Sequence, residues 1–263
     1  MVSSVFNHPK RVVVHYKECF LNKIALITGA SRGIGAATAI KLASKGYKVC
    51  INYIRNSKAA ASVCDSINEL GGTAISFKAD VSKQQEVRRL FSYIQTELGE
   101  VTHLVNNVGI LFTKTDFTQI TAERFSEILN TNVMSAFLCS QEFVKRGDSQ
   151  CAIVNVSSAA ARTGSPFEYL DYAASKGALD TLTKGLSVEL ASKNIRVNAV
   201  RPGFIETDIH SDGGEPDRVK RLSSQIPMGR GGSAQEVANT IAWLLSEEAS
   251  YVTGSFIDVA GGK

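Results

Sequence analysis

The chain is poor in long apolar runs, in runs of one charge and in paired cysteines, and each shortage excludes a class of function. No stretch of its 263 residues approaches the roughly 18 apolar residues that a membrane span requires. The N-terminus has no uninterrupted apolar core of the kind a secretory signal carries. The expectation is a cytoplasmic protein with no membrane partner. The formal charge of +4 comes from Lys and Arg scattered along the chain, whereas nucleic-acid binding needs them gathered on one face or in a run, so no nucleic-acid partner is expected either. The five cysteines, Cys19, Cys50, Cys64, Cys139 and Cys151, include no CxxC pair and have no neighbouring histidine, and the four histidines are dispersed. That spacing offers neither a disulfide framework nor a metal site. Cys50 and Cys139 lie inside apolar runs, where a thiol behaves as a small hydrophobe. With 44% hydrophobic and 21% charged residues, the chain can bury the core of one globular domain.

What is present has a rhythm. Short apolar runs at 23–29, 47–53, 74–80, 103–109, 151–158, 195–203 and in SFIDVAGG near the end alternate with amphipathic stretches. The stretches predict helices over 34–45, 58–70, 83–98, 121–145, 172–192 and from about Ser233. Strands carrying Val and Ile on both faces, separated by helices, belong in a parallel sheet covered on both sides. The predicted fold is therefore α/β: one Rossmann-type, doubly wound domain with a seven-stranded parallel sheet flanked by helices. Residues 22–263 form that domain, and residues 1–21 are read as a poorly ordered extension. Ligands bind such sheets beyond the carboxyl ends of the strands. The segment 204–227 interrupts the rhythm, and a loop of that length in a compact domain commonly covers a site.

The first strand runs into Thr28-Gly29-Ala30-Ser31-Arg32-Gly33-Ile34-Gly35, a glycine-rich turn that opens a helix. Backbone amides at a helix N-terminus favour an anion, so Gly29, Ser31, Arg32, Gly33, Ile34 and Gly35 are placed to cradle a pyrophosphate. The spacing is GxxxGxG in place of the commoner GxGxxG, with the same physics. About 20 residues beyond the glycines, a carboxylate would bind the ribose hydroxyls of NAD. This chain offers Asn52, Tyr53 and Arg55 in that region instead. A guanidinium pairs bidentately with a 2′-phosphate that a carboxylate would repel. Arg32 and Arg55 thus point to NADP (NADPH) in preference to NAD, although a solvated surface Arg55 is also compatible with the sequence.

Tyr172 and Lys176 are four apart in a predicted helix, on one face. A free tyrosine titrates near pH 10 and transfers protons poorly at neutral pH; a nearby ammonium would stabilise the phenolate. Taken singly, such pairs are ordinary surface neighbours. The order in which motifs recur is more informative: TGASRGIG, Asp80-Val81, NNVG at 106–109, Asn132, Ser158, YAASK at 172–176 and RPG at 201–203. Together they resemble the short-chain dehydrogenase/reductase family over residues 23–263, most closely its glucose-dehydrogenase-like and 3-oxoacyl-carrier-protein-reductase-like members.

The resemblance implies a catalytic set of Asn132, Ser158, Tyr172 and Lys176. Tyr172 would be general acid/base, Ser158 would polarise the substrate oxygen, Lys176 would also bind the nicotinamide ribose, and Asn132 would hold a water in the proton relay. It further implies cofactor contacts at Asp80 and Val81 (adenine), at Asn107, Val108 and Gly109 of the 106–109 run (adenosine side), and at Pro202, Gly203, Ile205 and Thr207 (nicotinamide end). Asn106 is equally well read as a tie between neighbouring strands. The usual alanine of the NNAG pattern is Val108 here.

The implied reaction moves hydride between nicotinamide and a carbonyl or secondary alcohol. The walls of the substrate pocket are expected from Leu111 and Phe112, from 163–169 including Phe167 and Glu168, and from the 204–227 segment with Phe204, Glu206 and His210. The family expectation is a homo-oligomer, tetramer or dimer, using the 121–145 and 172–192 helices and the C-terminal strand; the small residues Ala173, Ala178 and Gly185 would permit close packing there, and single-chain core packing explains them equally well. A catalytically silent dinucleotide sensor on the same fold is the alternative function, but it has no physical need of a lysine beneath Tyr172. A methyltransferase would leave the YxxxK spacing unexplained.

Overall fold

The structure, a computed structural model, describes residues 23–146 and 151–263. The expected extension at 1–21 and Cys19 lie outside the described residues. Strands β1 (Ile24–Ile27), β2 (Lys48–Tyr53), β3 (Thr73–Lys78), β4 (His103–Asn106), β5 (Cys151–Val156), β6 (Ile195–Pro202) and β9 (Phe256–Val259) form one sheet in the order β3-β2-β1-β4-β5-β6-β9, every pairing parallel. Strand order reverses between β1 and β4, which opens a crevice at their carboxyl ends.

Side-chain alternation along β1 shows how the sheet is covered on both faces. Ala25 and Ile27 enter one core with Ala39 and Leu42 of α1 (Gly33–Ala43), Ile67 of α2 (Ser57–Glu69) and Val237 and Ile241 of α10 (Ala234–Leu245). Ile24 and Leu26 enter the other with Leu90 and Phe91 of α3 (Gln84–Glu97) and Cys139 and Phe143 of α5 (Ser135–Arg146). Cys50, Cys64, Cys139 and Cys151 are all buried in these two cores. Burial pushes the Cys50 and Cys139 thiols far up, so both are inert hydrophobes.

Two expectations are refined. The single helix over 121–145 is interrupted: Thr121 caps α4 (Ala122–Leu129), and a π turn over Asn130–Met134 precedes α5. The 204–227 segment is not a bare loop. It holds α8 (Ile209–Asp212) and α9 (Arg218–Leu222), and its base is closed by a short parallel ladder of β7 (Ile205–Glu206) with β8 (Gly232–Ser233). A capping box of Ser233 and Glu236 then starts α10. Between β5 and β6 stand α6 (Ala160–Thr163) and α7 (Leu170–Glu189).

Candidate active site

Asn132, Ser158, Tyr172 and Lys176 come from three different elements and converge beyond the carboxyl ends of β4 and β5. The π turn aims Asn132 inward, where it is fully buried. Its Oδ1 accepts from Ile110 N at 2.7 Å, and its Nδ2 donates to Ile110 O at 3.2 Å and to Ser175 Oγ at 3.0 Å. Ser175 in turn donates to Tyr172 O at 2.7 Å. One amide thus ties the loop after β4 to the first turn of α7, and a widened turn is a recurrent way of placing such a group.

Lys176 is also buried, and its Nζ donates to Val156 O at 2.8 Å and lies 5.6 Å from the centroid of the Tyr172 ring. Burial lowers its pKa to about 8, against the pull of Asp180. Gly109 passes so close that a Cβ there would lie 3.3 Å from Lys176 Nζ and 3.8 Å from Asn132 Oδ1.

Ser158 follows β5, and its Oγ accepts from Ala160 N at 3.1 Å while its side chain lies close enough to the Tyr172 phenol to favour its ionised form. The Tyr172 phenol is raised above its ordinary pKa by burial; Ser158 and the positive charge of Arg218 pull it down without cancelling that rise. The expected lowering by Lys176 is therefore not what this arrangement delivers, because burial dominates and the ammonium is directed at a backbone carbonyl. Two adjoining hydroxyls, with a buried amine one turn along the helix, can together donate hydrogen bonds to one substrate oxygen.

The glycine-rich turn fits a pyrophosphate. Gly29 and Gly33 have φ of +62° and +58°, a region open to glycine. A Cβ on Gly35 would meet Asn107 Nδ2 at 2.6 Å and Ala30 Cα at 2.8 Å. The first turn of α1 has neither a side-chain cap nor an acidic residue, and the amides of Gly33, Ile34 and Gly35 meet no acceptor among the described residues. Ser31 is half-buried and Arg32 exposed in the same turn.

Several residues expected to touch the cofactor also brace this cradle. Asn52 is 1% exposed, accepts from Gly29 N at 3.3 Å and donates to Ala79 O at 3.0 Å, so its amide is occupied by backbone. Asn107 donates to Thr28 O at 2.9 Å and Gly29 O at 3.1 Å. The Asp80 carboxylate is held by Ser82 and Lys83; burial pushes it up, but these partners outweigh that and keep it below its ordinary range. The side chains of Val81 and Ile205 are core, and Pro202 is buried. Tyr53 packs half-buried on the α1 side core, while Arg55 is exposed. Val108 lies over the turn, 3.1 Å from where a Gly29 Cβ would be, so its bulk seals the glycine. Asn106 is the strand tie: its Nδ2 donates to Asn155 Oδ1 at 2.8 Å and Ser140 Oγ at 3.0 Å. Gly203 abuts Ala260, and Thr207 borders Gly33.

The 204–227 segment lies over the site. Arg218, buried, stacks at 4.6 Å on the Tyr169 ring and 5.1 Å on Phe204, and pairs with Glu168. Glu215 bridges Lys114 and Arg221, and Tyr169 donates to Gly213 O at 3.2 Å. His210 is buried with its Nε2 3.0 Å from Ile205 O, a structural contact. Lys114 lies outside the expected pocket walls, and Arg218 and Glu215, though inside the 204–227 segment, are not singled out by the sequence; no local spacing signals the pairs Lys114–Glu215 and Arg218–Glu168, because the partners are distant in the sequence. The buried pair of Asp171 and Arg124, at 2.6 Å, holds the start of α7 against α4.

Comparison with known proteins agrees with this geometry. A family model described as Enoyl-(Acyl carrier protein) reductase matches residues 29–263. The chain is 57% identical over 245 residues to the Uncharacterized oxidoreductase YgfF of Escherichia coli (strain K12), covering 91% of this chain and 99% of that protein. It is 37% identical over 245 residues to a 3-oxoacyl-acyl-carrier-protein reductase of Staphylococcus epidermidis, covering 92% and 99%. A short-chain dehydrogenase from Burkholderia cenocepacia J2315, solved in complex with NADP, superposes with a TM-score of 0.85 at 33% identity, covering 92% of this chain and 97% of that one. No helix among the described residues is long and apolar enough to cross a membrane. On the family match over residues 29–263, the identity to these relatives and the shared fold, the chain belongs to the short-chain dehydrogenase/reductase family and is an oxidoreductase that works with a nicotinamide dinucleotide.

Proposed function

We propose that this enzyme uses NADP to interconvert a carbonyl and a secondary alcohol, with Tyr172 as general acid/base. The observation that carries the reading is the Ser158 hydroxyl beside the Tyr172 phenol, with Lys176 buried one helical turn on, its Nζ 5.6 Å from the phenol ring centroid. Bound in the crevice, the nicotinamide supplies or accepts the hydride. In the reductive direction Ser158 and Tyr172 donate hydrogen bonds to the substrate oxygen, where negative charge develops, and Tyr172 gives up its proton to it. Lys176 keeps a positive charge beside the phenolate that results. Asn132 fixes the first turn of α7 through Ser175, and so fixes the phenol. Gly29 and Gly33 give the turn its positive φ and Gly35 its close packing, the amides of Gly33, Ile34 and Gly35 would hold the pyrophosphate, and Arg32 and Arg55 would meet the 2′-phosphate. Residues 22–263 act as one catalytic unit, with residue 22 outside the described residues.

Replacing Tyr172 by Phe should lower kcat about 10²–10⁴-fold, the usual worth of a positioned acid, with NADPH affinity within twofold. The assay is NADPH oxidation across ketones, aldehydes and acetoacetyl thioesters, with binding followed by nicotinamide fluorescence. Near-normal turnover by the variant would exclude this role for Tyr172. A larger kcat/KM with NADH than with NADPH in the wild type would exclude the cofactor preference.

The reading includes a homo-oligomer, dimer or tetramer. Met134, Phe137 and Val188 are 41%, 42% and 69% exposed on α5 and its neighbouring elements, and Gly177 and Gly185 of α7 face open space. Ala173 is buried within its own chain.

A further inference from the structure

We propose that Asp208 and Asp212, carried by the segment over the site, compete with the cofactor's 2′-phosphate for Arg32 and so set how strongly the enzyme prefers NADP; this rests on the NADP reading above. Arg32 occupies the N-cap of α1 inside the phosphate cradle. In this structure its guanidinium is already engaged: Nη2 bonds to Asp212 Oδ2, and Nη1 lies 3.6 Å from Asp208 Oδ2. Both carboxylates reach it from beyond Thr207, which packs against Gly33 in the same turn. Arg55, by contrast, makes no ion pair among the described residues.

A guanidinium presents a fixed fork of donors, and while both Nη atoms of Arg32 face carboxylates they are not free to grip a phosphate end-on. The trio of Arg32, Asp208 and Asp212 also sums to one negative charge, which repels a dianionic phosphate and is indifferent to the neutral ribose hydroxyls of NAD. The side chains are 54%, 68% and 45% exposed, so the exchange needs no core to open. Because exposed ion pairs are individually weak, the carboxylates act as a graded competitor. When the phosphate takes Arg32, the α8 end of the segment loses its hold on α1. The ties on the substrate side, Glu215 to Lys114, Arg218 to Glu168 and Tyr169 to Gly213 O, are left in place.

The test is the Kd of NADPH and of NADH, by nicotinamide fluorescence and calorimetry, for the wild type, Arg32→Ala, Asp208→Asn/Asp212→Asn, and the triple variant. Asn is isosteric at exposed positions, so the fold is retained, and thermal melting checks it. The double variant should bind NADPH about three- to tenfold tighter with NADH changed less than twofold, and the gain should vanish in the triple variant. An unchanged NADPH Kd in the double variant, an equal gain for both dinucleotides, or a gain that persists without Arg32 would overturn the proposal. If Arg32→Ala alone leaves the NADPH to NADH ratio untouched, the NADP reading loses Arg32 and the proposal falls with it. If Arg32→Ala lowers that ratio while the Asp variants do nothing, the NADP reading stands and this proposal alone fails.

Discussion

Lys176 carries the clearest electrostatic consequence at the level of single side chains. Burial lowers its pKa to about 8, whereas a lysine in the unfolded chain titrates near 10.4. Between those values the unfolded state binds more protons than the folded one, so this group adds stability as pH rises through the window and withdraws it as pH falls. Lys176→Met lacks the effect. The difference in unfolding free energy, wild type minus variant, should rise by about 1–2 kcal/mol between pH 7.5 and 9.5. Urea denaturation at the two pH values measures it, and a flat difference would show that the amine is better solvated than its 2% exposure implies. The proposed catalytic positions stand out in the sequence because their spacing suits the chemistry: a tyrosine and a lysine four apart on one helix, a serine after a strand. That Asn52 and Asn107 brace the glycine cradle was not legible, for a physical reason. Whether an amide faces a ligand or a backbone carbonyl depends on which strand end lies beside it, and that is settled only when Gly29 and Ala79 are brought together in space.

The helices that hold these side chains are themselves held by one buried ion pair. Asp171, without exposure, accepts from Arg124 Nε at 2.6 Å and from Tyr172 N at 2.9 Å, and Arg124 also donates to Thr113 O at 2.8 Å. Removing one partner of a buried pair leaves an uncompensated charge, and Arg124→Ala should therefore destabilise the fold by about 3–5 kcal/mol. Chemical denaturation would register this directly, and a loss below about 1 kcal/mol would mean that water replaces the guanidinium. The amphipathic period of 121–145 did predict a helix there, but the π turn was invisible to it. An insertion of one residue leaves the apolar stripe nearly intact while rotating Asn132 inward. In 204–227, turn residues Gly213, Gly214 and Pro216 concealed α8 and α9, which are too short for a periodic signal and are fixed by Arg218 stacking on Tyr169 and Phe204.

For the entire assembly, the exposed Met134 and Phe137 give the proposed oligomer a direct test. Light scattering should report a multiple of the 28.3 kDa chain, and Phe137→Glu, which places a charge on that face, should shift the distribution toward the monomer; a monomeric wild type would refute the proposal. The architecture was readable almost completely, since seven apolar runs with a helix after most of them leave few ways to cover a sheet on both sides. Which strand lies beside which was not written in any single run. β1 finds β4 across an intervening pair of strands, Ala25 aligned with His103, and Asn132 joins Ile110 to Ser175. Nearly every contact that completes the site is therefore non-local, and loop closure must precede its reward. Catalytic competence is a property of the finished chain: no fragment ending before α7 holds both ends of the Asn132 bridge, and on refolding from denaturant, recovered turnover times the last long-range pairing and not the first helices.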